Sequence, residues 1–157
     1  VPRQRLTYRV NLTVLAVALG VSVIDAVTKY WARHHLAGHA EHVIGPLWWR
    51  LQYNSGISFS IDHSLPLVAT IGTILVAVVV VVVGLRASNG IPAIGFGLLI
   101  GGGVANVIDR LAASPHEVTD FIAVSTFPIF NAADASITVG FIVLMAAALS
   151  GERLLAR

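Results

Sequence analysis

The stretch Gly101–Asp134, GGGVANVIDRLAASPHEVTDFIAVSTFPIFNAAD, starts inside one long apolar segment and ends at the start of another. Between them it gathers Asn106, Asp109, Arg110, Asp120, Asn131 and Asp134. Three aspartates within 26 residues stand out in a chain that has eight acidic residues and is 56% hydrophobic. Ionisable groups at membrane depth are costly and are therefore functional candidates. The fold turns on whether the flanking segments cross a membrane.

Composition says that they do. A mean hydropathy of +0.82 with 11% charged residues lies outside the range of a water-soluble domain. With no cysteine among the 157 residues, disulfides, thiolate catalysis and cysteine metal sites are excluded. A formal charge of +2 is too small and too scattered for a nucleic-acid surface.

Outward from the opening stretch, Ile91–Ile108 is one span, and its Gly95, Gly97 and Gly101–Gly103 let a neighbouring helix come close. Asn131 suits the N-cap of the span that follows at 132–149, with Asp134 in its first turn. Upstream, 67–85 contains VAVVVVVVGL, β-branched but helical in lipid, where the backbone must satisfy itself. The first span, about 10–31, follows Arg3, Arg5 and Arg9 and is long enough to cross. Its basic start resembles a signal peptide, but three further apolar spans favour an uncleaved helix. A chain starting at Val1 rather than Met suggests a trimmed or processed N terminus. Asp25 and Lys29 form an i,i+4 pair near the far end of this helix, either easing insertion or clamping a site.

Between the first two spans the chain turns polar and aromatic. Trp49, Leu51, Tyr53, Ile57, Phe59 and Ile61 alternate with polar residues about Asn54-Ser55-Gly56. That pattern predicts a hairpin with one apolar face, resting on the membrane surface or covering something.

The expected fold is therefore one all-α integral membrane domain, residues 1–157, with four transmembrane helices and a small outer β-hairpin or cradle between helices 1 and 2. Its outer loops are about 32–66 and 109–131. Arg3, Arg5, Arg9, Arg86, Arg153 and Arg157 share one side; Lys29, Arg33, Arg50 and Arg110 share the other. The positive-inside rule then puts both termini in the cytoplasm. Seven of the eight acids and all six histidines face outward.

This topology brings sequence-distant carboxylates to one depth. Two carboxylates at ~4 Å and an effective dielectric near 20 repel by about 4 kcal/mol, or roughly three pKa units. Such a pair keeps one proton, so one oxygen can take a proton from water while the other gives one to a carbonyl. Asp109 beside Arg110 reads first as a structural ion pair, and Asp134 as a helix N-terminal acid. Asp120, among Val118, Thr119, Phe121 and Ile122, has the least comfortable bland explanation. His34, His35, His39 and His42 invite a zinc reading, but Gly38 and the missing Glu of an HExxH motif argue for interfacial loop residues.

The motifs resemble those of the lipoprotein signal peptidases (signal peptidase II). Asp25-Ala-Val-Thr-Lys29 is similar to the family's DxxTK, and Asn54-Ser-Gly56-Ile-Ser-Phe59 to its NxGxAF, with Ser58 where Ala is usual. Gly101-Gly-Gly-Val-Ala-Asn106-Val-Ile-Asp109-Arg110 resembles GGxxGNxxDR, with Ala105 in place of the glycine. Val118–Ile122 and Phe130–Ile137 resemble VxDFI and FNxADxxI. The resemblance implies that Asp120 and Asp134 are the catalytic dyad. It implies supporting or substrate-contacting roles for Asp25, Lys29, Asn54, Gly56, Asn106, Arg110 and Asn131, and no metal or other cofactor. The implied substrate is a prolipoprotein whose cysteine carries diacylglycerol, cut before that cysteine at the outer face of a bacterial cytoplasmic membrane. Its partners would be that precursor and membrane lipid, with no nucleic acid. The rival is a small proton-coupled transporter using the acids as a relay, which needs polar residues across the bilayer; the inner halves of all four spans are apolar. A non-catalytic membrane scaffold would leave the acids without work.

Overall fold

The structure, a computed structural model, describes residues 10–55, 65–112 and 117–156. Its elements run α1 (Leu12–His35), β1 (Ala40–Ile44), β2 (Leu47–Asn54), α2 (Leu65–Gly84), α3 (Ile91–Ala112), β3 (Val118–Val124) and α4 (Ala132–Leu149). Among the described residues three helices, α1, α3 and α4, are long and apolar enough to cross a membrane, while the apolar portion Thr70–Gly84 of α2 is shorter. The chain is a multi-pass membrane protein. Leu15, Leu19, Val23 and Val27 of α1 are exposed, as side chains facing lipid should be.

α3 packs against the other three helices. Its glycines permit this, because the added methyl of an alanine at Gly101 would stand 2.7 Å from the Ala18 carbonyl oxygen on α1. Ala105 is buried, and the neighbouring Asn106 donates to Asp134 Oδ1 at 2.8 Å. At one end of the bundle, Asn11 caps α1 and donates to the Ala87 carbonyl at 3.2 Å. There Ser88 N–H donates to Leu154 O at 2.9 Å and Ala156 N–H to Arg86 O at 2.7 Å. The first and last described segments and the α2–α3 turn therefore meet at one end.

A sheet sits at the other end. It is antiparallel in the order β1-β2-β3, so the expectation of an all-α protein with one hairpin is enlarged to a three-stranded sheet. The β1–β2 turn runs through Gly45, whose φ of +52° only glycine takes cheaply, and Pro46. The hairpin predicted about Asn54-Ser55-Gly56 is not this one. Its second arm, with Gly56, Ile57, Phe59 and Ile61, lies outside the described residues. Trp49 and Leu51 point inward against Ala32, Leu36 and Phe121, so that apolar face covers the end of α1.

Two helices outrun their apolar spans. α1 reaches His35 and α3 reaches Ala112, which puts Asp109 and Arg110 on the last helical turn and not in the outer loop. In these extensions Arg33 of α1 pairs with Asp109 of α3 at 2.8 Å.

Candidate active site

Asp120 is placed by sheet register. Gln52 faces Asp120 and Asn54 faces Val118, so Asn54 is the diagonal neighbour of Asp120. Its Nδ2 donates to Asp120 Oδ2 at 2.9 Å. Beyond β3 the chain turns through Ser125, at φ +48°, and comes back at Phe130. There Ile122 N–H donates to Phe130 O at 2.8 Å and Phe130 N–H to Ile122 O at 3.1 Å. That clip delivers the next residue, Asn131, whose Nδ2 donates to Asp120 Oδ1 at 2.7 Å.

Asp134 is placed by helix capping. Asn131 is the N-cap of α4: its Oδ1 accepts from Asp134 N–H at 2.9 Å, and Asp134 Oδ2 accepts from Asn131 N–H at 3.2 Å. A capping box of this kind satisfies two helix-end donors. Asn106 on α3 donates to Asp134 Oδ1 at 2.8 Å, and its Oδ1 accepts from Asn131 Nδ2 at 3.3 Å and Lys29 Nζ at 3.0 Å. Asn131 thus touches both carboxylates, and Asn106 braces the second.

A layer of paired charge supports this pair. Lys29, 1% exposed, reaches Asp25 Oδ2 at 2.6 Å and Asp109 Oδ2 at 3.1 Å. Asp25 Oδ1 accepts from Ala133 N–H at 2.8 Å, satisfying a further donor at the start of α4. The Asp25–Lys29 pair therefore reaches beyond its own helix, to α3 through Asp109 and to the start of α4 through Ala133. Asp109 pairs with Lys29 and with Arg33 Nη2 at 2.8 Å. The sequence neighbour expected to pair with it, Arg110, instead donates to the Asn106 carbonyl at 3.4 Å. The reason is geometric, since consecutive helical residues do not face one another. Buried charges held this way meet the pairing they require.

Arg33 and Thr119 join the site without having been singled out in the sequence. Arg33 Nε donates to Thr119 Oγ1 at 2.8 Å, and Thr119 N–H donates to Asp109 Oδ2 at 3.1 Å. The signal for Arg33 is spacing: Asp25, Lys29 and Arg33 recur every four residues along one helical face.

Burial dominates the electrostatics of Asp120 and pushes its carboxyl up to about 6. The Asn54 hydrogen bond opposes the rise, the Asp134 charge adds to it, and Asn131 and Lys29 oppose it. Its proton is thereby within reach near neutral pH. Two carboxylates gathered at one end of a bundle, one inclined to keep its proton, are equipped to split a water between them.

Fold and site together define a class: a multi-pass membrane protein with an acid pair at one end of its helices. Residues 17–150 match the family model described as Signal peptidase (SPase) II, and the chain belongs to that family of peptidases. It is 37% identical over 156 residues to a lipoprotein signal peptidase of Mycolicibacterium smegmatis, covering 96% of this chain but 64% of that protein. A lipoprotein signal peptidase of Mycobacterium avium is 34% identical, with 96% of this chain and 85% of the relative covered. Two solved structures described as bacterial membrane enzymes, determined by the in meso method, share the fold. One has a TM-score of 0.78 at 31% identity, covering 87% of this chain and 92% of the other; the second has 0.74 at 30%, covering 88% of each. Nothing among these relatives supports the transporter alternative.

Proposed function

We propose that the chain is a single-domain, intramembrane aspartic endopeptidase that removes the signal peptide from diacylglyceryl-modified prolipoproteins, cutting before the lipidated cysteine. The observation that carries this reading is Asn131, which bonds Asp120 through its side chain and Asp134 through its backbone N–H. Such a bridge fixes the two reacting groups relative to one another before substrate arrives.

In this reading Asp120 enters the reaction protonated and Asp134 as the base. Asp134 takes a proton from water as it attacks the scissile carbonyl, and Asp120 gives its proton to the carbonyl oxygen. Collapse of the tetrahedral intermediate then breaks the C–N bond: Asp134 passes the proton it took from water to the leaving amine, and Asp120 recovers a proton from the intermediate's hydroxyl as the carbonyl re-forms. Asn54 and Asn106 hold the outer oxygens of the pair, Lys29 and Asp25 hold Asn106 and the start of α4, and Arg110 braces α3 beside them. Gly56 is assigned to the same site on the strength of its motif. No metal or other cofactor enters the scheme.

Lipid recognition has a candidate surface as well. Ala77, Val78, Val81, Val104 and Val107 line part of an apolar groove of about 250 Å³ between α2 and α3. It suits an acyl chain of the modified cysteine. Four spans, both termini in the cytoplasm of a bacterial cell and the pair near the outer face of the cytoplasmic membrane complete the proposal.

The test is cleavage of a diacylglyceryl-modified precursor by purified protein, beside the unmodified precursor. Release of the signal peptide from the modified form only is expected, with no cleavage by Asp120→Asn or Asp134→Asn variants that keep their thermal unfolding transition. Full activity in either variant would overturn the dyad.

A further inference from the structure

The end of α1 carries a cluster that the peptidase reading leaves unused. The helix stops at His35, and three residues later Gly38 adopts φ +82°, the left-handed conformation that suits glycine. The turn folds His39 back beside His35, their rings 5.9 Å apart. Glu41, the second residue of β1, faces both. Its Oε1 lies 3.0 Å from His35 Nε2 and 3.2 Å from His39 Nε2. The other two histidines of this region look elsewhere: His34 Nδ1 meets the Tyr30 carbonyl at 2.8 Å and His42 Nε2 the Gly45 carbonyl at 3.0 Å.

We propose that His35, His39 and Glu41 form a zinc site on the outer surface of the protein. Two imidazoles and one carboxylate are a zinc donor set, with the fourth tetrahedral position left to water. Zinc bonds of about 2.0–2.1 Å in a tetrahedron put neighbouring ligand atoms roughly 3.4 Å apart. Both His–Glu separations are already close to that edge, and all three ligand atoms lie within 4.8 Å of one another. Small side-chain rotations of exposed residues therefore complete the set. Gly38 and the missing HExxH glutamate speak against a helical metalloprotease motif. They do not bear on this site, where Gly38 makes the turn and a strand supplies the carboxylate.

The site is separate from the acid pair, but bound zinc would fasten the end of α1 to β1, an outer strand of the sheet whose opposite strand holds Asp120. It also has a built-in reporter, since the His35 ring stacks on Trp31 at 5.4 Å.

Calorimetric titration of tag-free, metal-stripped protein in detergent micelles with zinc chloride tests the proposal. One saturable zinc ion per chain is expected, with tryptophan emission changing at the same midpoint. His35→Ala with His39→Ala, and separately Glu41→Gln, should weaken binding by more than about tenfold, the loss already typical of removing an outer-shell partner. Thermal unfolding without zinc should match the parent in the Glu41→Gln variant, which preserves the side-chain shape. Absence of saturable binding, or unchanged affinity in both variants, would overturn it.

Discussion

At the scale of single residues, Asp120 ties function to stability. In the unfolded chain its carboxyl titrates near 3.8, and burial raises it to about 6 in the folded protein. Between those values the folded state holds a proton that the unfolded state has released. Stability from this group is therefore greatest at low pH and is lost as pH rises from about 4 to about 6, a span worth about 3 kcal/mol. Thermal unfolding in micelles should show this downward component in the parent and lack it in Asp120→Asn; an identical pH dependence in both would assign the titration to another group. The same residue was legible in the sequence because an acid in an apolar run lacks a bland explanation. The partners of Asp109 were not, because adjacency in sequence named Arg110 while helix geometry turned Asp109 toward Lys29 and Arg33. Gly56 lies outside the described residues and keeps its motif-based assignment.

At the scale of elements, close approach of α3 to α1 sets the depth at which Asn106 meets Lys29. Gly101 and Gly103 are near neighbours on α3 with opposite demands. A methyl at Gly101 would collide with backbone at 2.7 Å, whereas one at Gly103 would meet Ala77 Cβ at an ordinary 3.8 Å. Gly101→Ala should therefore destabilise by about 1–3 kcal/mol through overpacking. Gly103→Ala should be neutral or stabilising by up to about 1 kcal/mol, since alanine is the better helix former. Unfolding midpoints compared side by side check this, and equal effects at the two positions would refute the packing argument. Helix positions could be read from apolar runs, and 132–149 coincides with α4. Strand β3 could not, because its first four residues are all buried and show no alternation. β1 is short, and its only local signal is the Gly45-Pro46 turn that follows it.

At the scale of the molecule, the two ends of the bundle do different work, and the division can be tested without disturbing the site. Asn11, the Arg86–Asn89 turn and Leu154–Ala156 are bonded together at one end. The sheet, the acid pair and the paired charges of Asp25, Lys29, Arg33 and Asp109 gather at the other. The proposed orientation rests on the positive-inside rule, with Arg3, Arg5, Arg9, Arg86, Arg153 and Arg157 expected on the plain side and four basic residues on the other. The polar contacts that join the site across α1, β2, α3, β3 and α4 had no local signature, because the partners lie from 10 to 108 residues apart in sequence. The chain contains no cysteine, so single introduced thiols report topology directly. His42→Cys on β1 and Asn89→Cys in the α2–α3 turn replace exposed residues at opposite ends. In intact cells, with the outer membrane permeabilised where there is one, a membrane-impermeant maleimide should label the cysteine at 42. The cysteine at 89 should react only after the cytoplasmic membrane is disrupted. Labelling of both from outside would show that α2 does not cross the membrane, and labelling of 89 alone would invert the orientation. The label at 42 and the protection at 89 together require an odd number of crossings between β1 and the α2–α3 turn, so the experiment decides whether α2, whose apolar portion Thr70–Gly84 is the shortest of the four, is itself a span as proposed.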